Sequence, residues 1–139
     1  MLYADIGIQF DKAPYIYYDE RKAPYKQAIL TLLNAPTRRI ALESLRHQVP
    51  EYDWQSVIRH IISYHRPIRQ FLGSGIGVKL QNRDGRMAID ILSHFAKRGI
   101  PVLPVHDSFI ISTGYGDELK EVMQKVYSAH NNGFYCPVK

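Results

Sequence analysis

Cysteine is almost absent from this chain: Cys136 is the one cysteine in 139 residues. That scarcity excludes a disulfide framework and a cysteine-based zinc site. No apolar run reaches the about 20 residues that a bilayer-spanning helix needs. The N-terminal MLYADIGIQFDK lacks the basic-then-apolar layout of a secretory signal. A cytoplasmic protein without a membrane partner is therefore expected. The chain also contains no HExxH, no GxSxG and no cysteine nucleophile with a positioned base, which sets aside the common peptidase and esterase signatures. Internal repeats and low-complexity tracts are missing as well.

Acidic residues are the scarcer charge, 13 against 18 Lys and Arg, for a formal net charge of +5. A surplus of this sign favours a polyanionic partner, and it is clustered. Arg21, Lys22 and Lys26 form one group, Arg38 and Arg39 a second. Arg59, Arg66 and Arg69 form a third, and Lys79, Arg83 and Arg86 a fourth. Several of the 10 tyrosines, Tyr15, Tyr17, Tyr18 and Tyr25, sit near the first group. Cations interleaved with aromatics suit phosphate neutralisation and base stacking, although arginines that merely solvate a surface give the same composition.

With 45% hydrophobic residues the chain has enough for one packed domain, expected over 1–130, followed by a loose tail over 131–139. The first dozen residues read as the end of a helix that stops near Gly7. Residues 11–23 read as an irregular, Tyr-rich connection. Pro24 suits the first turn of a helix running to about Asn34, and a short helix follows from Pro36 to about His47. Trp54, Val57, Ile58, Ile61, Ile62 and His65 share one helical face, with Asp53 as N-cap. Pro67 should break this helix. A long helix over about Val78 to Arg98 turns Met87, Ile91, Leu92 and Phe95 inward, with Gly99 at its C-terminal end. The last helix opens at Asp117 and carries the stripe Leu119, Val122, Met123 and Val126. The expected fold is α+β and mostly helical, with helices packed around one small antiparallel β-hairpin.

That hairpin is PVLPVHDSFII, Pro101 to Ile111, and it sets a His-Asp pair between two short apolar runs. It reads as buried, so the carboxylate of Asp107 needs a metal, a cation or hydrogen bonds to offset its desolvation. A tight turn in which Asp107 bonds nearby backbone N–H groups is the other reading. The loop GSGIG, Gly73 to Gly77, precedes a helix as a phosphate cradle does. It has no following Lys-Ser/Thr, and it reads as a flexible link. His60 and His65 are out of phase for one metal, and His65 suits a core or interface. Lys26, placed by Pro24 in the first helical turn, is poised to reach an anion at the helix start.

Two of these stretches together resemble a family. KQAILTLLNA, Lys26 to Ala35, resembles the fingers-helix motif of single-subunit nucleic acid polymerases, and VHDSF, Val105 to Phe109, resembles their palm-hairpin motif. The Ser-Phe ending looks like the phage-type RNA polymerases, where family A DNA polymerases usually carry His-Asp-Glu. The helix from Gln81 through MAIDILSHFAKRGIPV is similar to the glutamine-bearing helix that precedes that hairpin. The resemblance spans roughly residues 1–127, in order and direction, and looks like a compact, divergent palm–fingers fragment of the phage and plasmid sort.

The resemblance implies a polymerase-like domain that binds DNA or RNA and a nucleoside triphosphate. Its reaction would be template-directed nucleotidyl transfer with Mg²⁺ or Mn²⁺. Asp107 would be the catalytic carboxylate and metal ligand, with His106 beside it at the primer terminus. Lys26 would hold the triphosphate, assisted by Lys22 or Arg21, and Leu30 and Asn34 would face the base and sugar. Gln81 would touch the minor groove, and Arg83, Arg38 and Arg39 are the candidate phosphate contacts. The family's second metal-binding aspartate would fall upstream of Met1; Asp5 is the nearest acidic residue. Asn34-Ala35 replaces the motif's Tyr-Gly. Turnover by this chain alone is therefore expected to be weak or nil. Two other readings remain: a non-catalytic nucleic-acid-binding or interaction module, and a small metal-dependent phosphoesterase using Asp107 and His106. A homodimer, or a partner supplying missing parts, is also expected, because a domain short of a neighbouring strand leaves an edge uncovered.

Overall fold

The computed structural model describes residues 1–10, 22–106 and 108–136. The expected connection over 11–23 falls almost entirely outside them. Helix α2 (Lys22–Asn34) buries Tyr25, Ala28 and Leu32, a spacing of three and four that keeps one stripe inward. Helix α3 (Arg38–Gln48) begins where the Thr37 hydroxyl accepts from the Ile40 N–H at 3.2 Å. Helix α4 (Trp54–Tyr64) begins where the Asp53 carboxylate accepts from the Ser56 N–H at 3.1 Å, the N-cap expected from sequence. The three pack into one core around Leu32, Leu45, Trp54 and Ile61. The Trp54 indole N–H donates to the Val49 carbonyl at 2.9 Å, so the large ring is buried with its polar atom satisfied. Pro67 ends the helical run as expected, leaving a 3-10 turn at Arg66–Ile68.

The glycine loop that follows is a clasp rather than a flexible link. The Gly73 N–H donates to the Leu32 carbonyl at 2.7 Å, and the Gly75 N–H donates to the Ala35 carbonyl at 2.9 Å. These bonds satisfy carbonyls at the C-terminal end of α2 that have no partner within the helix. Gly73 has φ +80, and a Cβ there would lie 2.6 Å from the Arg38 backbone nitrogen. Both the conformation and the space demand glycine. Because the Gly73 and Gly75 donors are spent inside the fold, a phosphate cradle built from them is excluded.

Helix α5 (Gly77–Ala96) starts hard against α2, where a Cβ on Gly77 would strike the Asn34 side chain. It ends in a turn that places Gly99 at φ +66. The chain then forms β1 (Val102–Val105) and β2 (Ser108–Ile111), an antiparallel pair in the register Val102↔Ile111 to Val105↔Ser108. A 3-10 turn at Thr113–Tyr115 leads into helix α6 (Gly116–His130). Ile91, Phe95, Ile100, Leu119 and Val122 form the second core, with Val102, Phe109 and Ile111 packed against it. The α+β, mostly helical architecture read from sequence is the one observed.

The expectation of a buried hairpin is corrected. Helices α5 and α6 cover only the face carrying Val102, Phe109 and Ile111. Leu103, Val105 and Ile110 alternate to the other face and are 63%, 44% and 58% exposed.

A short N-terminal helix, α1 (Leu2–Asp5), straps the two cores together. It stops at Gly7, φ +72, as expected. The Tyr3 hydroxyl is hydrogen-bonded to His65 Nδ1 at 2.9 Å, and Phe10 stacks on Tyr3 at 4.2 Å. On its other side, Asp5 takes two bonds from the Arg83 guanidinium of α5, at 2.7 and 3.1 Å. The Asn132 amide donates to the Ala4 carbonyl at 3.1 Å. Asn131 is fully buried and donates to the Tyr127 carbonyl at 2.8 Å, so the chain just after α6 is anchored where a loose tail was expected. Among the described residues, no helix is long and apolar enough to cross a membrane.

Candidate functional site

The hairpin tip follows from the strand register. Val105 pairs with Ser108, which leaves two residues for the connection. Two-residue hairpin turns of the favoured kinds need φ > 0 at the first central position, which is why Asn-Gly and Gly-X dominate there. His106 occupies that position with φ 55, in the left-handed region, and it is exposed. Asp107, expected as catalytic carboxylate and metal ligand, lies outside the described residues, as does Arg21.

His106 stands at the rim of a groove of about 860 Å³ between β2, α5 and α6. Met87, Ile91, Phe109 and Met123 supply its apolar lining, while Asp84 and Lys120 are charged groups at the same groove. Four other histidines are hydrogen-bonded within the fold. His60 Nδ1 is hydrogen-bonded to the Tyr25 hydroxyl at 2.8 Å, and His65 is the core histidine expected from its place on the apolar stripe. Burial pushes the Tyr3 phenol that meets His65 above its ordinary range, so it stays protonated as a hydrogen-bonding group. His94 of α5 meets Glu118 of α6 at 2.9 Å, and His130 meets Asp90 at 2.7 Å. Bonding to His94, and then to Arg98, holds the Glu118 carboxyl below the ordinary glutamate range.

The proposed nucleotide-binding residues lie along α2. Helix α2 begins at Lys22, which puts Lys22 in the first turn and Lys26 in the second, one turn later than expected. Lys22, Lys26, Leu30 and Asn34 recur at four-residue steps on the same side of the helix. Lys26, Leu30 and Asn34 are exposed. A shallow groove of about 400 Å³ lies beside Leu30, Thr31, Asn34 and Ala35. The Asn34 amide donates to the Leu30 carbonyl at 2.8 Å while its oxygen faces Gly77. This ridge and the hairpin tip belong to different packing groups. Helix α2 packs on α3 and α4, the hairpin packs on α5, and the groups meet where α2 touches α5.

The expected phosphate contacts divide. Arg38 donates to the carbonyls of Leu72 and Arg69 at 3.1 and 2.6 Å and so fixes α3 to the glycine clasp. Arg83 is engaged by Asp5 and, at 3.3 Å, by the Asn131 amide oxygen. Both guanidinium groups bond acceptors within the fold, which gives Arg38 and Arg83 a structural role. Arg39 remains at the surface, paired with Glu43 at 3.0 Å. Gln81 is exposed on α5, near the exposed cations Lys79 and Arg86.

The described residues do not fit a two-metal site. Among them, no group of three or more His, Cys, Asp or Glu could hold a metal ion. Asp5, the nearest acidic residue to the position of the expected second aspartate, is committed to Arg83. No chemical step through Mg²⁺ follows from these residues.

Sequence reasoning missed the strap and the burial of Asn131. The run Asn131-Asn132-Gly133 does carry a helix-ending signal, and Asn132 and Gly133 adopt φ 54 and φ 82. Nothing local says that such an ending is buried against another helix. No protein family, curated protein or solved structure matches the chain.

Proposed function

We propose that this chain is a polymerase-like nucleic-acid- and nucleotide-binding domain whose template-directed nucleotidyl transfer, as this chain alone, is weak or nil. One observation carries the reading: His106 sits in the left-handed region at an exposed hairpin tip, directly before Asp107 in the sequence. A purely structural two-residue turn would be served better by Asn-Gly. Side chains held in such sparsely populated conformations concentrate where a protein meets its ligand. The exposed cations Lys26, Lys79 and Arg86 support a polyanionic partner. The engagement of Asp5 by Arg83 favours binding over turnover. A purely non-catalytic module is accordingly the second reading.

Fluorescence anisotropy with primed DNA tests the binding. Affinity should fall as salt rises, with a log–log slope of about −2 to −3 for a few neutralised phosphates. Lys26→Ala should reduce that slope by about 1. Affinity indifferent to salt would sink the proposal. Primer extension in Mg²⁺ or Mn²⁺ separates the two readings. Incorporation by the wild type that Asp107→Asn abolishes would establish a catalytic role for this carboxylate. Equal traces in both would leave binding alone.

A further inference from the structure

The two edges of the hairpin differ in chemistry. Pro104 pairs with Phe109, and proline has no N–H to give to a neighbouring strand. The pair is therefore of the non-hydrogen-bonded kind, in which the backbone groups of both residues point away from the ladder. On β1 this turns a ring without a donor outward, which blunts that edge. On β2 the same alternation turns the N–H and C=O groups of Phe109 and Ile111 outward. No proline, glycine or charge within Ser108–Ile111 protects them. No strand among the described residues pairs with this edge, which runs along the 860 Å³ groove that every residue of β2 and none of β1 lines.

We propose that this edge pairs with the same edge of a second copy of the chain, β2 to β2, antiparallel about a two-fold axis at Ile110. In that register Phe109 faces Ile111 of the second copy and Ile111 faces its Phe109, so every outward group of both residues is bonded. The occupant must be extended backbone, because the unsatisfied groups are a row of main-chain donors and acceptors. A second copy fits because the strand is its own complement under a two-fold axis and sets no like charges opposite one another. It also brings the exposed Ile110 onto Ile110 of the second copy, joining the two bare outer faces into one apolar row. The net charge of +5 on each copy lies outside the strands and opposes association, so added salt tightens the dimer.

Sedimentation equilibrium of the full chain should show a monomer–dimer equilibrium that strengthens with salt. Ile110→Lys should weaken it by at least about tenfold. Its circular dichroism should be unchanged, since Ile110 is already solvent-facing. A monomer at every concentration, or a dimer unaffected by Ile110→Lys, overturns the proposal. Cross-linking tests the register separately. In Ile110→Cys with Cys136→Ser, the two facing Cα atoms would lie about 4.5 Å apart, within disulfide reach, and oxidation should give a covalent dimer. Leu103→Cys with Cys136→Ser lies a strand further from the axis and should not cross-link. Cross-linking at 103 and not at 110 would refute the pairing.

Discussion

At the scale of single residues, what a side chain already touches decides what it can do. Arg38 and Arg83 look alike in sequence to Lys79 and Arg86, yet the first two are occupied by carbonyls and a carboxylate within the fold. His106 is the converse case, exposed and in a conformation that costs roughly 1–2 kcal/mol for a residue with a Cβ. If that cost is kept for binding, His106→Gly should stabilise the chain by about 0.5–1 kcal/mol in urea denaturation, after glycine's larger unfolded-state entropy is deducted. The same variant should bind primed DNA more weakly. A variant that gains stability with affinity unchanged would reduce His106 to a turn residue.

Among elements, α5 and α6 are joined at their surface by His94–Glu118, Arg98–Glu118 and His130–Asp90. The Glu118 carboxyl titrates below its unfolded value because His94 and Arg98 bond its charged form. Between those two values the unfolded chain binds more protons, so this contribution to stability rises with pH. It is complete above the ordinary glutamate range and lost as pH falls through the lowered value. Urea midpoints measured across the acid range should show that limb in the wild type and a shallower one in Glu118→Gln; identical limbs would remove Glu118 from the account. The elements themselves were largely legible in sequence. The α4 stripe with Asp53, the break at Pro67 and the His-Asp hairpin all rest on local rules of periodicity, capping and turn chemistry. Exposure of the hairpin was not legible. Leu103 and Phe109 are both apolar, and which of them is covered depends on α5 and α6 packing on one face alone.

For the whole molecule, the two cores are each built from chain neighbours, α2 to α4 in one and α5 to α6 with the hairpin in the other. They are held together at the α2–α5 seam and by α1. Breaking the strap should therefore loosen their coupling more than it damages either core. Asp5→Asn removes the charge from a pair whose side chains are both under a third exposed, at an expected cost of about 1–3 kcal/mol. Amide exchange should quicken in α1 and around Asn131 while Leu32 and Phe95 stay protected. Uniform quickening everywhere would mean the two cores open as one.

The strap also imposes an order on folding during synthesis. Residue pairs such as Asn132–Ala4 are separated by 128 positions, nearly the full length of the chain. Helix α1 leaves the ribosome ahead of every partner it has on α5 and just after α6, so its docking on that side waits for them. The α2–α4 core can close while translation continues, since domains assemble in the order in which they emerge. Until Asn131 and Asn132 appear, the strap lacks the contacts that the residues after α6 give it, so a chain stopped within α6 leaves Ala4 without its Asn132 donor and Arg83 without its Asn131 acceptor.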